Sequence, residues 1–86
     1  MMTKEEKLQL AKEGKELDVL VKDEDFEVRK AVADFGRPED LDVLVKDKKI
    51  TVRRAVLKHQ RKQDLEILKN DVYYRLREDA EKSLNK

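Results

Sequence analysis

The fold of this chain is decided by Leu41-Asp42-Val43-Leu44-Val45-Lys46-Asp47, which is followed five residues later by Val52-Arg53-Arg54-Ala55-Val56. Nearly the same sequence occurs 24 residues earlier, over residues 17–32, and a more diverged version occurs 24 residues later, over residues 65–77. A fixed period of this length is typical of repeat architectures, in which each copy is one supersecondary unit.

The repeat divides the 86 residues into an N-terminal segment and three units. Residues 17–40 (unit 1) and 41–64 (unit 2) are identical at 13 of 24 aligned positions, and residues 65–86 (unit 3) match unit 2 at 6 of 22. Residues 1–16 precede the units and are expected to form an N-terminal capping helix over about 4–13, because Thr3 and Glu6 form a capping-box pattern. We predict one small domain over residues 1–86.

Apolar spacing within each unit predicts two helices. The first part of a unit carries leucine or valine at i, i+3 and i+4, enough for a helix of about two turns. The second part carries a longer stripe, which in unit 1 consists of Val28, Ala31, Val32 and Phe35. No stretch alternates with a period of two, so the sequence predicts an all-α fold in which a short helix and a long helix alternate about three and a half times.

Helices this short cannot bury their apolar stripes alone. Stacking the units side by side would give a continuous core, which is the physical basis of an α-solenoid. The last unit should then be altered where it faces water. Asp79 stands where Ala31 and Ala55 stood, and Ser83 stands where Phe35 stood. We therefore expect the last helix to be a C-terminal cap and the chain to be a complete domain.

The repeated pattern Leu-Asp-x-Leu-x-x-Asp-x-x-x-x-Val-Arg-x-Ala-Val resembles the HEAT-like α-helical repeats, over residues 17–84. Its 24-residue period is similar to the short type called the leucine-rich repeat variant. The resemblance implies a right-handed superhelix whose short helices are partly 3₁₀. One type within that family carries a cysteine cluster for an iron–sulfur centre, and this chain has no cysteine, so that chemistry does not transfer.

Two polar positions recur once in each unit. One could be an acidic ligand site and the other a basic one, or together they could form a structural ladder in which each aspartate caps a helix and accepts from an arginine. The resemblance favours the ladder, and partly buried arginine–carboxylate pairs are costly to break. The ladder residues are Asp23, Asp47, Asp71, Arg29, Arg53 and Arg77.

Composition and motifs argue against several classes of function. Charged residues make up 48% of the chain, yet the regular apolar spacing indicates a folded protein. His59 is the only histidine and Ser83 the only serine, and no nucleophile has a base at a recognisable spacing. We therefore expect no enzyme activity, no catalytic residue, no metal site and no cofactor. No run is long enough to span a membrane, and the N-terminus is unlike a signal peptide, which predicts a cytoplasmic protein.

Positive charge is concentrated in the middle of the chain. Residues 46–63 hold eight Lys or Arg and one acidic residue, whereas residues 1–45 have a net charge of −5. This basic block could be a solvated face, or it could bind an acidic protein or a nucleic-acid backbone. Its candidate binding residues are Lys46, Lys48, Lys49, Arg54, Lys58, Arg61 and Lys62.

These observations predict a protein–protein interaction or scaffold module, with nucleic-acid or polyanion binding through the basic block as the alternative. Because they recur once in each unit, two surface columns are the expected recognition face. We expect a monomer; the alternative is a homodimer through an apolar edge near Leu8, Leu10 or Leu84. The two columns are Lys30/Arg54/Glu78 and Asp34/Lys58/Lys82.

Overall fold

The computed structural model describes residues 1–86 as seven α-helices without a strand, which confirms the all-α prediction. None of the seven has both the length and the apolar character needed to cross a lipid bilayer. The helices are α1 (Lys4–Lys12), α2 (Leu17–Leu20), α3 (Phe26–Phe35), α4 (Pro38–Leu44), α5 (Ile50–Leu57), α6 (Lys62–Leu68) and α7 (Tyr74–Leu84).

Helix α1 begins at the capping box that the sequence predicts. The Thr3 side chain accepts a hydrogen bond from the Glu6 backbone N–H at 3.2 Å, and the Glu6 carboxylate accepts one from the Thr3 backbone N–H at 3.0 Å. Each contact satisfies an amide that the first helical turn would otherwise leave unpaired. The start of the chain is therefore fixed locally, before any long-range packing.

The short helices are α-helical in their middle, and tighter bonds flank them at both ends. In α2 the amides of Leu20 and Val21 donate to the carbonyls four residues earlier. Bonds to the third residue back occur at both ends of the helix, from Val19 N–H to Glu16 C=O and from Asp23 N–H to Leu20 C=O. Tighter winding of the 3₁₀ kind thus frames the α-helical turn.

The longer helices α1, α3 and α5 pack side by side, and α3 lies between the other two. Seventeen apolar residues form one buried cluster along the molecule, whose principal extents are 44 × 20 × 15 Å. Helix α7 packs most closely against α6 rather than against α5. We attribute this difference to Asp79, which replaces the small alanine found at the same position in α3 and α5 and lies exposed.

Phe35 does not belong to the buried stripe of α3, contrary to the sequence prediction, since 48% of its surface is exposed. Its ring lies over Gly14, where an added Cβ would come within 2.3 Å of the ring. His59, at the same position of unit 2, lies over Gly36 in the same way, 2.5 Å from where a Cβ would be. Both glycines have positive φ values of 74° and 87°, so the turns after α1 and α3 favour glycine for their conformation and for the ring above it.

Two of the three arginines of the ladder, Arg29 and Arg53, each join two neighbouring units. Arg29 donates from Nε and Nη2 to the two carboxylate oxygens of Asp47, at 2.7 and 3.2 Å. Arg53 makes the same bidentate pair with Asp71, at 2.7 and 3.1 Å. Each arginine also donates from Nη1 to a backbone carbonyl of its own unit, at Asp23 and Asp47 respectively.

The two ends of the ladder differ from its middle. At the first end, Asp23 is met by Lys7 of α1, whose Nζ lies 2.7 Å from the carboxylate. Lys7 and the Asp25 backbone N–H hold the pKa of the Asp23 carboxyl below its ordinary value. At the other end, Arg77 donates to the carbonyls of Asp71 and Val72, and no carboxylate pairs with it.

Because Arg53 and Arg77 occupy the same position in successive units, they form a matched pair for mutation. Arg53→Ala would leave the Asp71 carboxylate, 8% exposed, without its bidentate partner. We expect a loss of roughly 3 kcal/mol in the free energy of unfolding, and a melting temperature lower by on the order of 10 °C. Arg77→Ala removes the same side chain but no carboxylate pair, so its effect should be much smaller. Equal losses in thermal denaturation by circular dichroism would contradict a role for the pairs.

Candidate interaction surface

A second set of arginines, which sequence reasoning did not identify as structural, lies at the turns between a long helix and the next short one. Arg37 precedes α4 and donates from Nε and Nη2 to Asp40, at 2.7 and 3.0 Å. Its Nη2 also donates to Asp18 of α2 at 2.7 Å. Arg37 therefore fastens α4 to α2. The signal was present in the sequence, since all three residue types recur 24 positions later as Asp42, Arg61 and Asp64.

Arg61 repeats this arrangement between α6 and α4, but less well. It pairs with Asp42 and donates to the Pro38 carbonyl at 2.8 Å. Its Nε lies 3.2 Å from Oδ2 of Asp64 but is not aligned to donate, and that buried oxygen has no hydrogen-bond partner. Burial raises the pKa of the Asp64 carboxyl, and the nearby charge of Arg61 offsets only part of that effect.

The basic block is divided between two edges of the molecule by α5. Lys46, Lys48 and Lys49 precede this helix, whereas Lys58 and Lys62 follow it; eight helical residues span about 12 Å. Arg54 lies between the two groups. Among the seven candidate binding residues, Arg61 differs because its charge is paired within the chain and its side chain is only 16% exposed.

The other six candidate binding residues make no ion pair, whereas Arg53 of the same block is paired with Asp71. The ammonium group of Lys49 lies 4.6 Å from the centre of the Phe26 ring, and the guanidinium carbon of Arg54 lies 6.0 Å from that of Tyr73. Of the expected recognition columns, Lys30 and Asp34 pair with each other at 2.8 Å in unit 1, while Arg54 and Lys58 of unit 2 are exposed and unpaired. The three leucines of the expected dimer edge are half-buried and pack on the core: Leu8, Leu10 and Leu84.

Three exposed apolar side chains form a row that sequence reasoning missed. Val19 on α2, Val43 on α4 and Ile67 on α6 occupy the same position of successive units and are 63%, 56% and 41% exposed. We call them the apolar row. The signal was in the helical period, because Val19 lies about 200° around the helix from buried Leu17 and therefore on the opposite side.

The charges beside the apolar row are unevenly compensated. The acidic residues next to it, Asp18 and Asp42, are paired with Arg37 and Arg61. Glu66 is paired with Lys69 in the third unit, at 2.7 Å. The cations three residues after the valines, Lys22 and Lys46, are exposed and make no ion pair. The row is consequently flanked by neutralised acids and by free positive charge.

Comparison with known proteins identifies no relative: no family model matches the chain, and no curated protein or solved structure is similar to it. The inference of function therefore starts from the surface of this chain alone.

The two edge carboxylates, Asp40 and Asp64, should respond in opposite ways to neutralisation. Since the pKa of Asp64 is raised in the fold, its protonated form is favoured, and its contribution to stability falls as pH rises from about 4 through the folded-state pKa. Asp64→Asn should therefore leave the melting temperature at pH 7 unchanged or raise it, with the gain disappearing near pH 3.

The control is Asp40→Asn, which weakens two hydrogen bonds from Arg37. We expect it to cost roughly 1 kcal/mol and to lower the melting temperature at pH 7 by about 4–8 °C. If Asp64→Asn lowered the melting temperature as much as Asp40→Asn does, the lack of a hydrogen-bond partner for Oδ2 of Asp64 would be contradicted. Melting curves from pH 3 to 8 provide the measurement.

Proposed function

We propose that this chain is a non-catalytic binding module, a small right-handed α-solenoid of the HEAT-like kind that binds another protein. The observation that carries the proposal is the apolar row. Large apolar side chains scattered singly on a surface need no explanation, but here the same position is left exposed and apolar in three successive units. Such rows are how repeat proteins present an extended surface to a partner.

The solenoid assignment is supported by the contacts between units. Arg29 and Arg53 each pair with a carboxylate in the next unit, and Arg37 and Arg61 each pair with a carboxylate on the preceding short helix. Because each unit pairs only with its neighbours, the arrangement is one-dimensional, as it is in repeat proteins.

The non-catalytic assignment is supported by the use made of the single imidazole. His59 Nε2 lies 2.7 Å from the Ala33 carbonyl, and since a carbonyl only accepts, that nitrogen carries the proton and donates. The ring thereby has a structural use, because it joins unit 2 to unit 1.

The proposal is tested by removing apolar surface from the row without touching the core. Val19→Gln/Val43→Gln should abolish capture of the specific partner from a lysate of the native host, measured by quantitative mass spectrometry, while leaving the melting temperature unchanged. The control is Val72→Gln/Tyr74→Gln, which removes exposed apolar surface of similar kind away from the row. Capture of the same proteins by the row variant and the wild type would contradict the proposal.

A second candidate function, binding of a polyanion such as a nucleic-acid backbone, is favoured by the six unpaired cations of the basic block. Phosphate contacts of this kind give weak association that depends strongly on salt. The division of the cations by α5 supports contact along a strip rather than at one pocket.

Polyanion binding predicts that a short DNA duplex binds at ~50 mM salt and is released at ~200 mM salt, by fluorescence anisotropy. Arg54→Glu/Lys58→Glu should abolish that binding. Lys12→Glu/Lys82→Glu changes the net charge equally outside the block and should retain most of it. Equal losses in the two variants would indicate net charge rather than a site, and no binding at the lower salt would remove this candidate.

A further inference from the structure

The spacing of the apolar row restricts the backbone that can dock on it. The long helices α1, α3 and α5 pack side by side, and packed helices lie about 8 to 10 Å apart, so side chains at one position of successive units should recur at about that interval. In an α-helix, residues seven apart are separated by about 10.5 Å along the axis and project from nearly the same side. One helical partner residue could therefore meet each member of the row.

An extended segment fits the same row poorly. Side chains of a strand share a face only at even separations, which gives about 7 Å for residues two apart and about 13 to 14 Å for residues four apart. Residues three apart are separated by about 10 Å, but they project to opposite faces. The row is therefore matched by a helix with one apolar residue in seven and by no regular spacing along a strand.

The flanking charges restrict the partner further. Lys22 and Lys46 lie one turn from Val19 and Val43 and have no carboxylate in this chain, whereas the acids on the other flank are already paired. A docked helix would be favoured by Asp or Glu beside its apolar stripe and disfavoured by Lys or Arg there. Row-to-row docking of a second copy would bring four uncompensated lysines to one interface, which argues against self-association through this face.

We infer that the occupant of the apolar row is an amphipathic helix of another protein, with an apolar side chain at every seventh position and acidic side chains beside that stripe. This inference rests on the proposed protein-binding function and specifies its partner class. Because the row consists of three side chains, we expect a weak complex of the transient type.

The probe is a synthetic helical peptide of about 21 residues, with leucine at every seventh position from the second residue and glutamate three or four residues after each leucine. Its helicity is verified by circular dichroism, because short helices are marginal in water. A control peptide of the same composition places the leucines five residues apart, so that they project from different sides. Binding to the intact chain is measured by anisotropy or by chemical shift changes at Val19, Val43 and Ile67.

We expect the heptad peptide to bind at least about tenfold more tightly than the control peptide, and Val19→Gln/Val43→Gln to weaken it by roughly tenfold. Lys22→Glu/Lys46→Glu should weaken binding of the acidic peptide. A peptide with lysine in place of glutamate should bind that variant again. Recovery by the charge-swapped pair would place the peptide on this face in the predicted orientation.

Two results would overturn the inference, and they are distinguishable from failure of the proposed function. If the heptad and control peptides bound equally, or if lysine and glutamate peptides bound the wild type alike, the partner would not be an acidic amphipathic helix. Suppose that the peptides failed in this way but Val19→Gln/Val43→Gln no longer captured the partner from the lysate. The protein-binding function would then stand, and only the assignment of the partner as a helix would be wrong. If that variant captured the same proteins as the wild type, both the protein-binding function and the helix assignment would be contradicted.

Discussion

The bidentate pairing of an arginine in one unit with an aspartate in the next is the constraint on which the rest of the structure depends. Arg29 and Asp47 are both about 8% exposed, and neither could be buried alone without a large desolvation cost. Each arginine also binds carbonyls in the turn of its own unit. The turn, the helix that follows it and the neighbouring unit are thus positioned by one side chain.

This dependence explains how a chain with so much charge still forms one core. The two- and three-turn helices cannot bury an apolar stripe individually, so the core forms only where units adjoin. Arginine serves at the junctions because its planar fork matches a carboxylate, whereas lysine is left to the solvated surface. The exceptions are instructive: Lys7 replaces an arginine at the first junction, and Arg77 has no carboxylate beyond the last one.

A periodic sequence can also make periodic surfaces. Val19, Val43 and Ile67 are exposed at the same position of three units, and Lys22 and Lys46 are exposed at the same position of two. The apolar row and the basic block lie on different parts of this surface and share only Lys46. They therefore support separable proposals, one for a protein helix and the other for a polyanion.

The sequence by itself determined the helices and their boundaries, because capping residues, the 3.6-residue apolar period and the two glycines act over a few neighbouring positions. It also placed the aspartates and arginines at equivalent positions. Tertiary structure alone decided their partners: Arg61 is paired with the preceding short helix rather than free, Phe35 covers a glycine rather than filling the core, and Asp64 is buried without a full partner. These outcomes depend on distances between units, which a single repeat does not specify.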